Sequence, residues 1–362
     1  METHKNIETK DGYLLTMHRI PYPKNANYLR GEKRQPVLLI HGMLGCSGHF
    51  LLQGDNSLAY MLAEAGYDVW LGNVRGVVYS REHKTLNYAK DTEYWQFSMH
   101  EMGIYDLPAM IDYILGVTNS ENLHYIGYSQ GCVTFFIMCS ELPEYSKKIA
   151  LFTGLSPLIY VKNARHPWLP ILSRFQTQLR FFTSQVGLCG VRVGLFRKYE
   201  GLFTSNSWGR NFIKFMIFAA FGTKLYRLKN ETVGTAVKFI QGINYHSIYH
   251  AMQIFNKSKA EQFVQYDYGT KKNMEVYGSE TAKDYCVENV KCPVLLYYSD
   301  SDWFMPAENA TLLAEKLSNV IAHHKIESKD FSHFDFLIAE EAVEKVYKPM
   351  ISTFADFQNQ KV

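Results

Sequence analysis

A serine lies at the centre of residues 127–131, which read Gly-Tyr-Ser-Gln-Gly and fit the pattern G-x-S-x-G. In this pattern the serine occupies a tight turn from a strand to a helix, and its backbone is strained. The positions two before and two after it must be small to avoid collision. Residues 123–127 have the composition of a strand, and residues 135–139 suit a helix. This context predicts Ser129 as a nucleophile, against the alternative of a serine in an ordinary turn.

A serine hydroxyl becomes a good nucleophile when a base takes its proton, and the base needs an acid that orients it. When the nucleophile lies on such a turn, the acid and then the base follow it along the chain, on loops after later strands. Asp300 and Asp302 both follow the strand-like run 293–298, and His333 follows the next such run. His333 is therefore the predicted base. The spacing leaves the acid open between the two aspartates.

The tetrahedral intermediate of acyl transfer carries an oxyanion, which needs preorganised N–H donors. One expected donor is the backbone N–H of Gln130, directly after the serine, and a second comes from a loop after an early strand. That loop follows residues 36–40 and reads His-Gly-Met-Leu-Gly from His41 onward. Gly42 allows a close approach of the backbone, so we expect the N–H of Met43 to be the second donor. A plain glycine-containing turn is the alternative.

Strand-like and helix-like segments alternate around these residues. A hairpin with its turn at residues 11–12 comes first. The short apolar run at residues 36–40 is typical of a buried parallel strand, and residues 67–71, 123–127, 293–298 and 322–326 also read as strands. Helical spacing covers residues 56–66, 105–116, 135–139 and 342–354. The alternation predicts an α/β fold, a mainly parallel sheet with helices on both faces.

Residues 157–275 interrupt this alternation and lack clear buried strands. They hold 17 Lys and Arg against five Asp and Glu, a net charge of +12, whereas the rest of the chain holds 21 basic and 30 acidic residues, net −9. Such a split indicates a functionally distinct insertion. Within it, Phe212, Phe215, Met216 and Ala219 can share one helical face. That face either meets a lipid surface or forms the core of the insertion itself.

Composition excludes several classes of protein. With 362 residues, 47% of them hydrophobic and 20% charged, the chain is a folded globular protein. No run of about 18 apolar residues occurs, so we expect no transmembrane segment. Six scattered cysteines show no zinc-ligand spacing, are predicted to be mostly reduced, and suggest neither a metal nor another cofactor. Because the basic residues of the insertion are mixed with apolar ones, a lipid surface is favoured over nucleic acid.

Several further stretches resemble the acid lipase family of α/β-hydrolases, which includes the lysosomal acid and gastric lipases. They read TKDGY (9–13), LIHG (39–42), AGYDVWLGN (65–73), RG (75–76), FSMHEMG (97–103), YDLPA (105–109) and YDYG (266–269). The resemblance covers nearly the whole chain. It implies the α/β-hydrolase fold, with a core of residues 1–156 and 276–362 and a mostly helical, lid-bearing cap at residues 157–275.

The resemblance also implies a catalytic triad of Ser129, Asp302 and His333. The acid loop of the family ends in a pattern like Asn-Asp-Trp, which residues 301–303 (Ser-Asp-Trp) match better than residues 299–301 (Ser-Asp-Ser).

Three features depart from the family pattern. Tyr128 precedes the serine where the family usually has histidine. The cap of the family commonly carries a disulfide, but Cys189 is the only cysteine between residues 157 and 275. The first ten residues form no apolar signal region. A secreted or lysosomal location is thus implied by the resemblance alone, and an intracellular one follows if the N-terminus is complete.

These observations predict a carboxylic ester hydrolase that uses no cofactor. The expected substrates are triacylglycerols or steryl esters at the surface of a lipid droplet, micelle or membrane. An esterase for small soluble esters is the alternative among enzymes. A lipid-binding protein that has lost catalysis is the alternative from another class, and the intact order of serine, aspartate and histidine argues against it.

Overall fold

The structure is a computed structural model and describes residues 1–23, 33–186, 189–191, 201, 204–257 and 261–359. Its strands in chain order are β1 (Glu2–Glu8), β2 (Tyr13–Ile20), β3 (Pro36–Ile40), β4 (Asp68–Asn73), β5 (Glu82–His83), β6 (Leu123–Tyr128), β7 (Ile149–Leu155), β8 (Gly190–Val191), β9 (Ile243–Asn244), β10 (Val294–Tyr298) and β11 (Val320–Lys325). Its helices are α1 (Leu58–Glu64), α2 (Met99–Glu101), α3 (Leu107–Thr118), α4 (Gln130–Glu141), α5 (Leu169–Arg174), α6 (Gln176–Gln185), α7 (Ser207–Phe221), α8 (Asn230–Phe239), α9 (Tyr245–Lys257), α10 (Thr270–Tyr277), α11 (Ala307–Lys316), α12 (Asp335–Ile338) and α13 (Lys348–Asn359).

One large sheet runs through the centre of the described structure in the order β1-β2-β4-β3-β6-β7-β10-β11, with β5 also paired to β2. The pairs from β4 to β11 are parallel, and β2 is antiparallel to each of its partners. The strands β3, β6, β7 and β10 are fully buried and mostly apolar, as expected of parallel strands that are covered on both faces. The predicted mainly parallel sheet is confirmed.

Helices cover both faces of this sheet. In β3, Leu38 and Ile40 pack into the same core cluster as apolar residues of α3 and α4. Val37 and Leu39 belong to a second cluster, together with residues of α1 and α13. Side chains of a strand point alternately to opposite faces, so one short run contributes to both cores. The carboxyl ends of the parallel strands consequently lie at one edge, where the predicted site residues follow.

One central strand is missing from the sequence-based prediction. β7 lies between β6 and β10, although no strand is predicted over its residues. Ala150 and Gly154 lower its intrinsic strand propensity, and burial between two neighbouring strands overrides that preference. The helix predicted at residues 135–139 is also longer than expected, because α4 begins at Gln130, directly after the serine.

The guanidinium of Arg75 ties the N-terminal hairpin to the loop after β4. Its two terminal nitrogens donate to the carboxylate of Asp11 at 2.5 and 2.8 Å, and its Nε donates to Asp106 Oδ1 at 2.7 Å. The side chains of Arg75 and Asp106 are almost fully buried. Removing one partner of such a buried pair costs about 3–5 kcal/mol. This cluster therefore fixes the hairpin turn and the start of the helical segment at residues 102–118 relative to the sheet.

The described part of residues 157–275 consists of helices α5 to α10 and a two-stranded antiparallel sheet of β8 and β9. In α7, Ile213 and Ile217 are buried, whereas Phe212, Phe215 and Met216 are 41%, 55% and 50% exposed. The alternative that these last three form the core of the insertion is therefore wrong. The boundaries at residues 157 and 275 stay a prediction.

Within the described ranges, no helix has the length and apolar character needed to cross a membrane. The same residues bring together no group of three or more His, Cys, Asp or Glu side chains suited to a metal ion. The six cysteines are free thiols, four of them buried, with Cys189 partly exposed and Cys286 exposed.

Candidate active site

Ser129 lies on a sharp turn between β6 and α4. Its backbone adopts φ +53° and ψ −113°, which residues other than glycine rarely occupy. A Cβ atom on Gly127 would lie 2.8 Å from the nitrogen of Cys132, and one on Gly131 would lie 2.2 Å from the oxygen of Ile40. Both glycines are therefore needed for the strand and helix to approach so closely. The strained turn raises the serine hydroxyl above the edge of the sheet.

A chain of hydrogen bonds joins Ser129 to the two loops after β10 and β11. His333 Nε2 lies 2.9 Å from Ser129 Oγ, and His333 Nδ1 lies 3.0 Å from Asp302 Oδ2. Ser129 is 6% exposed, His333 is 1% exposed and Asp302 is fully buried. With its Nδ1 proton directed at the carboxylate, the imidazole has its Nε2 lone pair free to accept from the serine hydroxyl.

The two candidate acids have different environments. Burial alone would raise the pKa of Asp302, but the neighbouring His333 and hydrogen bonds from His333, Ser156 and the Phe304 N–H bring it below the usual value. The carboxylate of Asp300 is 40% exposed and pairs with Lys325 Nζ at 2.6 Å. The structure thus brings Asp302 to the imidazole and directs Asp300 to a surface lysine.

Sequence reasoning overlooked Ser156, which directly follows β7. Its Oγ donates to Asp302 Oδ2 at 2.6 Å and lies 2.9 Å from His333 Nδ1. The available signal was weak, since it consisted of one polar residue at the end of a strand that was itself not predicted.

The loop that carries Gly42 and Met43 packs against the serine. A Cβ on Gly42 would lie 2.9 Å from the ring of Tyr128 and 3.2 Å from the Cβ of Ser129. His41 holds this loop, because its Nδ1–H donates to the oxygen of Gly42 at 2.9 Å. Burial lowers the pKa of His41 to about 4, so the ring is neutral near pH 7. The residues of the two predicted N–H donors, Met43 and Gln130, line the same cavity as Ser129.

Tyr128, where the family usually has histidine, contacts His333 and its loop. Its hydroxyl donates to the backbone oxygen of His333 at 3.1 Å, and the two ring centroids are 5.2 Å apart. Tyr128 therefore places a large planar side chain against the imidazole and bonds to the loop that carries it.

A cavity of about 250 Å³ opens beside Ser129 and His333. Its walls are almost entirely apolar and come both from residues 157–275 and from the rest of the chain: Met43, Leu44, Met99, Val133, Leu158, Val161, Leu169, Ala220, Phe221, Ile248, Ala251, Ile254, Phe255 and Phe304. Burial lowers the pKa of His166, the histidine of this lining other than His333, and its Nε2–H donates to the oxygen of Ala220 at 3.2 Å. This arrangement suits a long hydrocarbon chain and disfavours a charged one.

The C-terminal end of α7 covers the imidazole. The ring of Phe221 stacks on His333 with centroids 6.0 Å apart and planes 13° apart. Gly222 ends the helix at φ +76°, and a Cβ there would lie 2.8 Å from the ring of Trp303. The end of α7 thus contacts both His333 and the residue next to Asp302.

Comparison with known proteins shows the family to which the chain belongs. A model of the "alpha/beta hydrolase fold" family matches residues 35–339, and one of the "partial alpha/beta-hydrolase lipase region" matches residues 1–54. The chain belongs to the lipase family of α/β-hydrolases. The predicted family, fold and enzyme class are confirmed, and this lipase is a serine hydrolase of carboxylic esters.

The lipase is similar over nearly its whole length to several named lipases. Lipase 1 of Drosophila melanogaster is 35% identical over 97% of this chain and 76% of its own. The lysosomal acid lipase/cholesteryl ester hydrolase of Rattus norvegicus is 31% identical over 98% and 88%, and the gastric triacylglycerol lipase of the same species is 34% identical over 97% and 87%. Among solved structures, a putative lipase from Acinetobacter baumannii shares the fold, with a TM-score of 0.57, 13% identity and coverage of 99% and 92%.

Proposed function

We propose that Ser129, His333 and Asp302 are the catalytic triad of this lipase, with Met43 and Gln130 as oxyanion donors. The proposal rests on the hydrogen-bonded chain from the serine through the imidazole to a buried carboxylate, beside an apolar cavity. The strained turn at the serine agrees with it.

In the proposed mechanism Ser129 Oγ attacks the ester carbonyl carbon while its proton passes to His333 Nε2. The carbonyl π electrons move to oxygen, and the N–H groups of Met43 and Gln130 stabilise the resulting oxyanion. When the carbonyl re-forms, the ester C–O bond breaks and the imidazolium gives its proton to the leaving alcohol. Water then repeats the sequence on the acyl-enzyme and releases the carboxylic acid. Asp302 remains ionised and orients the imidazole throughout.

We further propose that the substrates are water-insoluble lipid esters, namely triacylglycerols or steryl esters. Two observations support this choice. The cavity beside the serine is lined by apolar side chains over nearly its whole surface. Relatives across the full length are named as a cholesteryl ester hydrolase and a triacylglycerol lipase.

The proposed docking surface for such substrates is the outer side of the cap, which we assign to residues 157–275. Of the 22 exposed large hydrophobic side chains among the described residues, 14 lie between positions 168 and 226. They are Trp168, Ile171, Leu172, Phe175, Leu179, Phe181, Phe182, Val186, Trp208, Phe212, Phe215, Met216, Leu225 and Tyr226. Exposed apolar side chains in this density, within a segment of net charge +12, favour a droplet, micelle or membrane surface as the partner. The names of lysosomal and gastric relatives support a secreted or lysosomal location.

A chain-length series of esters, assayed below and above the solubility limit of each, tests this function. We expect turnover to rise sharply once the longer esters form an emulsion, because adsorption through the cap then becomes available. A rate that follows dissolved ester only would favour an esterase for small soluble substrates. No turnover of any ester would contradict catalysis and favour a lipid-binding protein.

A further inference from the structure

The hydroxyl of Ser156 lies beside both the acid and the base of the proposed triad. Ser156 directly follows β7, is fully buried and has a φ of +52°. Its N–H donates to the oxygen of Tyr297 at 2.9 Å, while the preceding oxygen, that of Leu155, accepts from the N–H of Ser129 at 3.0 Å. The backbone around Ser156 is thus bonded to the strand that leads to Asp302 and to the nucleophile itself.

Proton counting fixes the direction of the hydrogen bonds in this cluster. Because His333 Nε2 must accept from Ser129 Oγ, Nδ1 carries the ring proton. The hydroxyl proton of Ser156 can then go only to Asp302 Oδ2, at 2.6 Å. The other oxygen, Oδ1, accepts from the N–H of Phe304 at 2.9 Å. The buried carboxylate therefore receives three donors, namely the imidazole, the hydroxyl and a backbone N–H.

We propose that Ser156 is a positioning residue of the triad, whose hydroxyl holds the Asp302 carboxylate ionised and fixed against His333. The inference rests on the proposed catalytic function and extends it to a fourth side chain. A carboxylate removed from solvent depends on such donors to stay charged. Glycine would relieve the left-handed backbone at position 156 but would lack the hydroxyl. The strained serine is thus the residue that supplies the contact.

Two variants that both lack the hydroxyl, Ser156→Ala and Ser156→Gly, test this role. Glycine suits the positive φ, so it carries the test if the alanine variant does not fold. Ser299→Ala is the matched control, since Ser299 is a fully buried serine of the acid loop whose Oγ accepts from the N–H of Ser301 at 3.2 Å. For each purified variant, kcat and KM on a soluble short-chain ester are measured across pH, and folding is checked by circular dichroism and Tm.

We expect both Ser156 variants to lower kcat by about tenfold to a hundredfold with KM within about twofold, since a donor to a buried charge is lost. The acidic limb of the kcat/KM profile should move to higher pH by about half a unit or more, because the Asp302–His333 pair binds a proton more readily once a donor to its anionic form is removed. Ser299→Ala should leave this limb where it is in the parent enzyme.

An unmoved acidic limb in the two Ser156 variants would overturn the proposal. The proposal would also be overturned if Ser156→Gly had the kcat of the parent while Ser156→Ala had a low kcat. The backbone conformation, and not the hydroxyl, would then explain the loss. The Ser129→Ala variant distinguishes the two levels of inference. If it keeps activity within tenfold of the parent, the triad itself is refuted. If it is inactive while the Ser156 variants behave like the parent, only the role of Ser156 fails.

Discussion

Replacing Asp302 with asparagine alters a carboxylate that is fully buried and accepts hydrogen bonds on both oxygens. His333 Nδ1 and Ser156 Oγ approach Oδ2 at 3.0 and 2.6 Å, and the N–H of Phe304 approaches Oδ1 at 2.9 Å. An amide offers one oxygen and one NH₂ group to these donors. Since the backbone N–H of Phe304 requires the oxygen, the NH₂ group must face the imidazole. The ring then moves its proton to Nε2, and Ser129 loses its base.

We expect this change of tautomer to lower kcat by about 10⁴, equivalent to roughly 5.4 kcal/mol of transition-state stabilisation. Asp300→Asn is the matched control two residues away in the same loop. Its carboxylate and its partner Lys325 are each 40% exposed, and such a surface pair is worth only about 0.2–1 kcal/mol. The control should therefore keep kcat within about twofold of the parent.

Both variants are assayed for kcat and KM on a soluble short-chain ester, so that adsorption to a lipid surface plays no part. Thermal unfolding verifies that each is folded. A kcat of Asp302→Asn within tenfold of the parent, or a larger loss in Asp300→Asn, would refute the assignment of the orienting acid.

Four further predictions follow from the same geometry. Ser129→Ala should lower kcat by a factor of about 10⁶. A fluorophosphonate probe should label the parent at this serine and leave the variant unlabelled. Labelling at another residue would remove Ser129 from the mechanism. Emulsions doped with anionic lipid should be hydrolysed faster than neutral ones at low salt, because residues 157–275 carry a net charge of +12. About 0.5 M salt should screen these charges and remove the difference. Equal rates on the two emulsions at low salt would contradict electrostatic docking. Phe215→Ser should slow emulsion hydrolysis several-fold and leave hydrolysis of a soluble ester unaffected. Tyr88 is an exposed aromatic residue outside the cap, and Tyr88→Ser should change neither rate. Similar emulsion rates in the two variants would count against α7 as a docking element. Burial lowers the pKa of His41 to about 4, so its contribution to the free energy of unfolding is complete above about pH 6.5 and is lost progressively as the pH falls toward 4. The urea midpoint of the parent should therefore fall over that range more steeply than the midpoint of His41→Asn. Parallel curves of midpoint against pH in the two proteins would refute this prediction.

Local sequence patterns predicted those parts of the site that depend on local geometry. The turn at Ser129 needs two glycines at fixed spacing, and the loop beside it needs Gly42, so the residue types themselves mark these positions. Local patterns could not decide between Asp300 and Asp302 as the acid, because both follow the same strand. The two aspartates differ in the direction in which their side chains point. The family resemblance favoured Asp302, which is the one that lies against His333 in the structure.

Contacts between distant segments were beyond local reasoning. Ser156 meets residues 146 and 177 positions away, and nothing in its own neighbourhood indicates them. β7 was missed for a related reason, since its strand conformation is imposed by neighbours on both sides of the sheet. The pattern of α7 predicted an apolar face but left its direction open, because apolar residues occur on both sides of that helix.

The proposed docking surface and the cover of His333 belong to the same helix, α7. Its outer side exposes Phe215 and Met216, while its last residue, Phe221, stacks on the imidazole of His333. Suppose that a lipid surface binds α7 more tightly when the helix is displaced from His333 than when it covers it. At saturation the surface then shifts the equilibrium toward the uncovered state by the ratio of these two affinities. By reciprocity, whatever factor the surface adds to the affinity for an ester, the bound ester adds to the affinity for the surface. Surface adsorption and access to the serine are then coupled by a single free energy, and a substitution on the outer side of α7 should change the rate only where a lipid surface is present.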